Sequence, residues 1–226
     1  MRLISMIIPA AGAGKRMDSS GLKQFMLLGD KPVLMHTLEF FHRFDPEMPI
    51  VVAFSEEGFV EWERLMQEYN CSIPHRTILG GKERYDSVKA ALKVVPESEF
   101  IGVHDAVRPF VNEKTFQSCI DLAVAQGSAV PVSHLPNSLR MVHEEGSKAV
   151  NREHFRQVHT PQIFRSKWLQ EAYQRKYESR FFDDATLVEH AGFPIFLTEN
   201  NHANIKITTK LDWEWSEYYL SERKNE

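Results

Sequence analysis

The sequence predicts an α/β fold, a mostly parallel sheet with helices on both faces. Three observations lead there. Short apolar runs rich in β-branched residues recur along the first two-thirds of the chain. Amphipathic helical stripes separate them. Glycines or a carboxylate stand directly after several runs, where ligands of parallel sheets gather. With 226 residues, about 42% apolar, the chain can bury a full core, and residues 1–226 read as one domain.

Leu3 to Ile8 reads as a buried strand, and the glycine-rich stretch Ala10 to Arg16 follows it. Pro32 can open a helix at its first position, with Val33, Leu34, Thr37, Leu38 and Phe41 as its apolar stripe. Ile50 to Phe54 is a second strand, and Phe59, Trp62, Leu65, Met66 and Tyr69 share one face of the next helix. Arg76 to Leu79 is a third strand, ending in Gly80–Gly81. Tyr85, Val88, Leu92 and Val95 mark a helix that Pro96 closes. Phe100 to His104 is a fourth strand with Asp105 at its carboxyl end. A helix with Phe116, Cys119, Ile120, Ala123 and Val124 stops at Gly127, before a fifth strand from Ala129 to Val132.

The alternation then breaks. Ser138 to Val142 and Lys148 to Arg152 read as a hairpin turning through Glu144 to Ser147. A lone hairpin is only marginally stable in water, so residues 137–152 call for cover, and a two-fold partner supplies it most simply. The chain shows no internal repeat, low-complexity tract or interdomain linker.

A net charge of −4 argues against a nucleic-acid coat, though local lysines and arginines can still hold an anionic substrate. Cys71 and Cys119 are too few for a disulfide framework and read as packing residues in a reducing compartment. The apolar run Ile4 to Ala11 is too short to span a membrane and makes a poor signal peptide, so the expected location is the cytoplasm.

Three stretches carry chemistry. The first glycine loop lacks the Ser or Thr that a Walker loop needs after Lys15, and Met17 replaces the third glycine of a dinucleotide fingerprint. A strand, free backbone N–H groups and the cations Lys15, Arg16 and Lys23 remain; this suits phosphates, and equally a tight turn with solvated basic residues. Gly80 to Arg84, leading to Asp86 and Ser87, either lets a flat base approach the backbone or simply turns a strand into a helix. Asp105 can reach a ribose hydroxyl, a metal or its water shell, with Arg108 fixing an anion or orienting it; a plain Asp105–Arg108 turn salt bridge explains the pair equally well. His104 reads as a satisfied core histidine, and no histidine spacing suits zinc. Of Asp183 and Asp184, one reads as a helix cap, and Lys206 sits in an alternating run that reads as a strand.

The ordered set Ala-Ala-Gly-x-Gly-x-Arg, Lys-Gln, Gly-Gly-x-x-Arg-x-x-Ser, His-Asp-x-x-Arg-Pro, Thr-Pro-Gln and Asn-Ile-Lys-x-Thr resembles the 2-C-methyl-D-erythritol 4-phosphate cytidylyltransferases of the non-mevalonate isoprenoid pathway. It covers essentially the whole chain. The resemblance implies a Rossmann-like sheet of the nucleotide-diphospho-sugar transferase type, a homodimer joined by exchanged β-arms (137–152), and Mg²⁺-CTP as donor. It implies no nucleic-acid or membrane partner. By matching position, Arg16 and Lys23 grip the CTP phosphates as the catalytic pair. Ala10, Ala11, Gly12, Gly14, Gly81, Ser87 and Asp105 make the nucleotide-binding set. Asp105 holds the substrate side of the site, and is a candidate to assist a Mg²⁺ held mainly by the CTP phosphates. Arg108, Ser138, Arg152, Thr160 and Lys206 form the acceptor side, with Arg152 reaching into the partner's site. Asn137 and Asn151 stand where the family commonly has acidic residues, Phe182 replaces a threonine, and Gly21–Leu22 precedes Lys23 without the usual proline. These departures bear on the acceptor pocket. A ribitol-5-phosphate cytidylyltransferase, a sugar-1-phosphate nucleotidyltransferase using another base and a non-enzymatic nucleotide sensor are the alternatives.

Overall fold

In the computed structural model, residues 2–12 and 22–223 are described. Arg16, Gly14 and the rest of the stretch 13–21 therefore lie outside the description. The frame begins with β1 (Arg2–Pro9), whose alternating side chains enter two cores: Met6 and Ile8 on one face, Ile7 on the other. On either side of β1 lie β4 (Ile50–Phe54) and β6 (Ser98–Val103), both parallel to it, and β5 (Arg76–Leu79) runs parallel beyond β4. The sheet order is β10-β7-β11-β6-β1-β4-β5. Here β7 is Ser128–Ser133, β10 Gln157–Val158 and β11 the antiparallel Gln162–Arg165, and β12 (Leu197–Glu199) pairs parallel with β7. From β1 the chain runs outward to β4 and β5, then returns to β6 on the other side, which puts the switch point between β1 and β6.

The helices cover both faces. α1 (Val33–Phe44), α2 (Glu56–Glu68) and α4 (Glu113–Gln126) pack on the Met6 face, around Phe41, Trp62 and Phe116. α3 (Arg84–Leu92), α5 (Ser166–Ala172) and α6 (Asp184–His190) pack on the Ile7 face. Their ends follow capping chemistry: Ser55 and Asn112 accept from Gly58 and Thr115 N–H groups, and Gly127 closes α4 at φ +95°. Pro32 is not the first helical residue; it precedes α1 and belongs to a small antiparallel pair, β2 (Leu27–Leu28) with β3 (Lys31–Pro32). Cys119 is buried in the core, Cys71 packs partly buried against it, and both are free thiols.

The expected hairpin is present with a tighter turn. β8 (Leu139–His143) pairs with β9 (Gly146–Val150), leaving Glu144–Glu145 between them. It forms a two-stranded sheet of its own, with Met141 and Val142 exposed. Arg152 lies past the returning strand, in a 3-10 turn over Arg152–His154.

The expected strand around Lys206 is absent. Residues 204–208 are irregular, and the Ile207 N–H donates to Val107 C=O at 3.0 Å. The alternation instead reflects packing: Ile207 is buried with Leu28, Val33 and Phe110 beneath α7 (Lys210–Arg223). Thr209 and Asp212 form a capping box at the start of α7. Asp212 Oδ2 accepts from the Thr208 and Thr209 N–H groups and the Thr208 hydroxyl, and Asp212 N–H donates to Thr209 Oγ1. That box fastens the Lys206 segment to the helix. Replacing Asp212 with Ala should cost about 1 kcal/mol, lowering Tm by roughly 2–4 °C, as a thermal melt will show.

Candidate active site

The carboxyl ends of β1, β5 and β6, together with residues 206–208, enclose a cavity of about 490 Å³. Its walls are Pro9 to Gly12, Lys23, Gln24, Gly81 to Arg84, Ser87, Asp105 to Val107 and Lys206 to Thr208. Among these lining residues Lys23, Lys82, Arg84 and Lys206 are cationic, against the carboxylates Glu83 and Asp105.

Asp105, just past β6, is the electrostatic centre. Its Oδ2 faces Arg108 Nε at 3.0 Å and Lys206 Nζ at 3.1 Å, and its Oδ1 faces Arg84 Nε at 3.6 Å. Burial alone would raise its pKa, but Lys206, Arg108 and Arg84 together overcome that and hold it below the usual carboxylate range. Arg84 also meets the fully buried Asp184 at 2.7 Å, and Asp184 Oδ1 accepts from the Tyr173 hydroxyl at 2.6 Å. Burial opposes the charge on Arg84, yet Asp184 and Asp105 raise its pKa above the ordinary value.

A neutral relay supports the Asp105 backbone. Asp105 N–H donates to Thr160 Oγ1 at 3.1 Å, Thr160 donates to His104 Nδ1 at 3.1 Å, and His104 Nε2–H donates to Arg108 C=O at 3.0 Å. The carbonyl can only accept, so the imidazole proton belongs on Nε2.

The family model for 2-C-methyl-D-erythritol 4-phosphate cytidylyltransferase matches residues 4–222. The chain belongs to this family. A relative of that name from Porphyromonas gingivalis is 43% identical over 208 residues, covering 91% of this chain and 92% of the relative. The crystal structure of the enzyme of that name from Thermus thermophilus aligns with a TM-score of 0.79 at 30% identity, over 98% of this chain and all of that one. The fold of an Anaerococcus prevotii 4-diphosphocytidyl-2C-methyl-D-erythritol synthase aligns with a TM-score of 0.82 over 97% of this chain and 96% of that one.

Against the family's pattern, the structure brings Ala10, Ala11, Gly12, Lys23, Gly81, Ser87, Asp105 and Lys206 to one cavity. Lys23 Nζ donates to Thr208 C=O at 2.6 Å. The glycine pair has a reason besides room for a base. A Cβ on Gly80 would stand 2.6 Å from Ser87 Oγ, and one on Gly81 would collide with Asp86. The Ser87 hydroxyl is engaged locally, accepting from Gly81 N–H and donating to Glu83 C=O, each at 3.2 Å.

Arg108 and Thr160 are not among the lining residues. Both are buried behind Asp105, where Arg108 also donates to His159 Nδ1 and Asn204 C=O, each at 3.0 Å. Ser138 and Arg152 are exposed on the arm and its root, and neither lines this chain's cavity. Asp183 is the helix cap, accepting from Thr186 N–H at 2.8 Å, which leaves Asp184 for Arg84. Arg84 and Gln24 entered the sequence reading only as motif positions, with no role given to either. Arg84 opens α3, where the positive helix end disfavours a cation, so its presence there was a signal that carboxylates must face it. Gln24 donates to Ala10 C=O at 2.6 Å and pins the first loop; its amide gave no signal apart from the Lys-Gln pair.

His104 makes stability depend on pH. Burial lowers its pKa from 6.5 to about 4. The unfolded chain therefore binds the proton first. Stability is full above about pH 6.5 and falls as pH drops from there toward 4, by roughly 3 kcal/mol for this residue. Urea midpoints should fall between pH 7 and 5, and the fall should be shallower in His104→Gln, which is itself less stable at pH 7.

Proposed function

We propose that this chain transfers a cytidylyl group from CTP to 2-C-methyl-D-erythritol 4-phosphate, giving 4-diphosphocytidyl-2-C-methyl-D-erythritol and pyrophosphate. The observation that carries this reading is the excess of lysine and arginine around a cavity at the carboxyl end of β1, in a member of this family. A phosphate oxygen of the acceptor attacks the α-phosphorus of CTP in line. The new P–O bond forms as the bond to the bridging oxygen breaks, and pyrophosphate carries away the electron pair. The acceptor is already an anion, so no strong general base is required. The difficulty is charge on charge, and fixed cations aimed at the phosphoryl oxygens answer it. Lys23 supplies a compact charge from the cavity wall, and Arg16, by its position in the family motif, supplies a forked one. Backbone groups of Ala10 to Gly12 and of Gly81, with Gly14 and Ser87, hold the nucleotide. Lys206 and Asp105 border the substrate side, and Arg108 and Thr160 act from behind by fixing Asp105.

Among the described residues no group of three or more His, Cys, Asp or Glu is arranged for a metal ion. Asp105 is already shared among three cations. This donor set fits a Mg²⁺ held mainly by the CTP phosphate oxygens and water, with Asp105 beside its water shell. Such an ion would neutralise charge on the triphosphate when bound.

The arm is proposed to complete the acceptor side of a second copy's site, making the working form a homodimer. Supporting this, Met141 and Val142 are exposed on the hairpin, and Arg152 is half-exposed at its root, contacting Pro136 C=O and Glu153. No helix among the described residues is long and apolar enough to cross a membrane. Two free thiols support a reducing, cytoplasmic setting.

Pyrophosphate release with Mg²⁺ and CTP should require methylerythritol phosphate. UTP should be used poorly, because polar groups that pair with the cytosine amine would be left unpaired. Equal use of ribitol 5-phosphate would move the assignment to that acceptor, and equal use of UTP would remove the base assignment.

A complementation experiment addresses the shared site. Lys23→Ala should lower turnover roughly a hundredfold or more, and Arg152→Ala should weaken use of the acceptor while sparing CTP binding. Mixed dimers of the two variants should regain activity, since one of their sites escapes both lesions. If labelled subunits demonstrably exchange and no activity returns, Arg152 does not serve a partner.

A further inference from the structure

The arm leaves the sheet after Ser133, the last residue of β7, and the chain returns through β10 to His159. These two residues meet. His159 Nε2 lies 2.8 Å from Ser133 Oγ, and its Nδ1 lies 3.0 Å from Arg108 Nη1. An arginine can only donate, so Nδ1 is the acceptor. On a neutral ring the proton is then on Nε2, pointing at Ser133. Burial, then the neighbouring Arg108 charge, lowers the ring's pKa to about 4, consistent with a neutral ring at pH 7.

Arg108 passes the constraint on. The same guanidinium that leans on His159 donates through Nε to Asp105 Oδ2 at 3.0 Å and through Nη1 to Asn204 C=O at 3.0 Å. It is almost wholly buried, so an N–H deprived of its imidazole acceptor has no water to turn to. The guanidinium would rotate toward another acceptor and take the Asp105 carboxylate with it.

We propose that His159 is a positioning residue that locks Arg108, and through it Asp105, in register with the two roots of the arm. It touches no substrate itself. The idea rests on the reading of the Asp105 cavity as the cytidylyltransferase site. It adds that the roots of the arm and the floor of the cavity are one hydrogen-bonded unit, Ser133–His159–Arg108–Asp105. Sequence reading passed over His159 because a histidine next to a Thr-Pro pair carries no pattern of its own.

The test uses His159→Leu, which has no acceptor, and His159→Asn, whose side-chain oxygen can stand near the Nδ1 position. At pH 7 the imidazole nitrogen shifts of the full-length protein should show the Nε2–H tautomer at His159. The Arg108 Nε–H resonance should move in His159→Leu and return toward its original place in His159→Asn. In turnover with CTP and acceptor, kcat/KM should fall roughly tenfold in His159→Leu, the scale of one lost charge-assisted bond. His159→Asn should recover most of that loss. An Nδ1–H or doubly protonated ring at pH 7 overturns the proposal, as does an equal loss in both variants or no loss in either. If His159→Leu does not fold, the tautomer of the unaltered protein and the Arg108 resonance in Ser133→Ala, expected to shift as the ring loses its anchor, decide the matter. Failure of the unaltered protein to release pyrophosphate would sink the cytidylyltransferase reading instead, and the spectra would still decide the contact.

Discussion

A buried carboxylate cannot remain ionised without partners, and Asp105 gathers its partners from across the fold. Arg108 comes from the turn after β6, Arg84 from the start of α3, and Lys206 from the irregular segment under α7. Each of the first two is restrained in turn. Arg84 is held by Asp184 and Arg108 by His159 and Asn204. The pair of Asp105 with Arg108 is the deeply buried one, and its loss from either side would leave an uncompensated charge. Lys206 is nearly half exposed, so its attraction is screened and contributes less. The ends of β6, α3, α6 and the segment 204–208 thus have one compatible arrangement, and it forms the cavity.

This arrangement also explains how an acidic protein can hold a polyanion. The net charge of −4 belongs to the whole chain, whereas the cavity wall carries four cations against two carboxylates. That excess of positive charge is what remains after Asp105 and Glu83 are counted. Lys23 lines the same cavity, its Nζ donating to Thr208 C=O. Cations fixed in advance of binding need little reorganisation as charge develops, which is where such sites gain most of their effect.

The parts of the fold legible in the sequence were those set by local period and by turn chemistry. β1, β4, β5, β6 and the helices between them follow from short apolar runs, helical stripes, caps and Gly127. The cavity at the strand ends follows from the parallel order. Legibility failed where tertiary contacts overrode a local pattern. Residues 204–208 alternate like a strand, yet they are irregular, and Ile207 is buried in the cluster beneath α7. Arg108 and Thr160 sit in motif positions that suggest ligand contact, but the segments carrying Asn204 and His159 close over them, and no spacing in the sequence reports that closure. Arg84 needed Asp184, a hundred residues away, before its place at a helix start made sense.

The departures from the family pattern fall into the same division. None of Asn137, Asn151 and Phe182 lines the cavity. Asn151 caps the turn at the arm's root by accepting from Glu153 N–H at 3.0 Å, and Phe182 is 84% exposed. A neutral asparagine meets that capping requirement as well as an acidic residue would, so the substitution leaves the local fold intact while removing a negative charge one position from Arg152. Arg152 keeps one acidic neighbour, Glu153, at 3.3 Å. The proposed nucleotide half of the site is built from strand ends within one chain, where a change must satisfy many partners at once. The arm's share of the proposed acceptor side, Ser138 and Arg152, is exposed instead, so those two positions can vary without disturbing Asp105 and its cations.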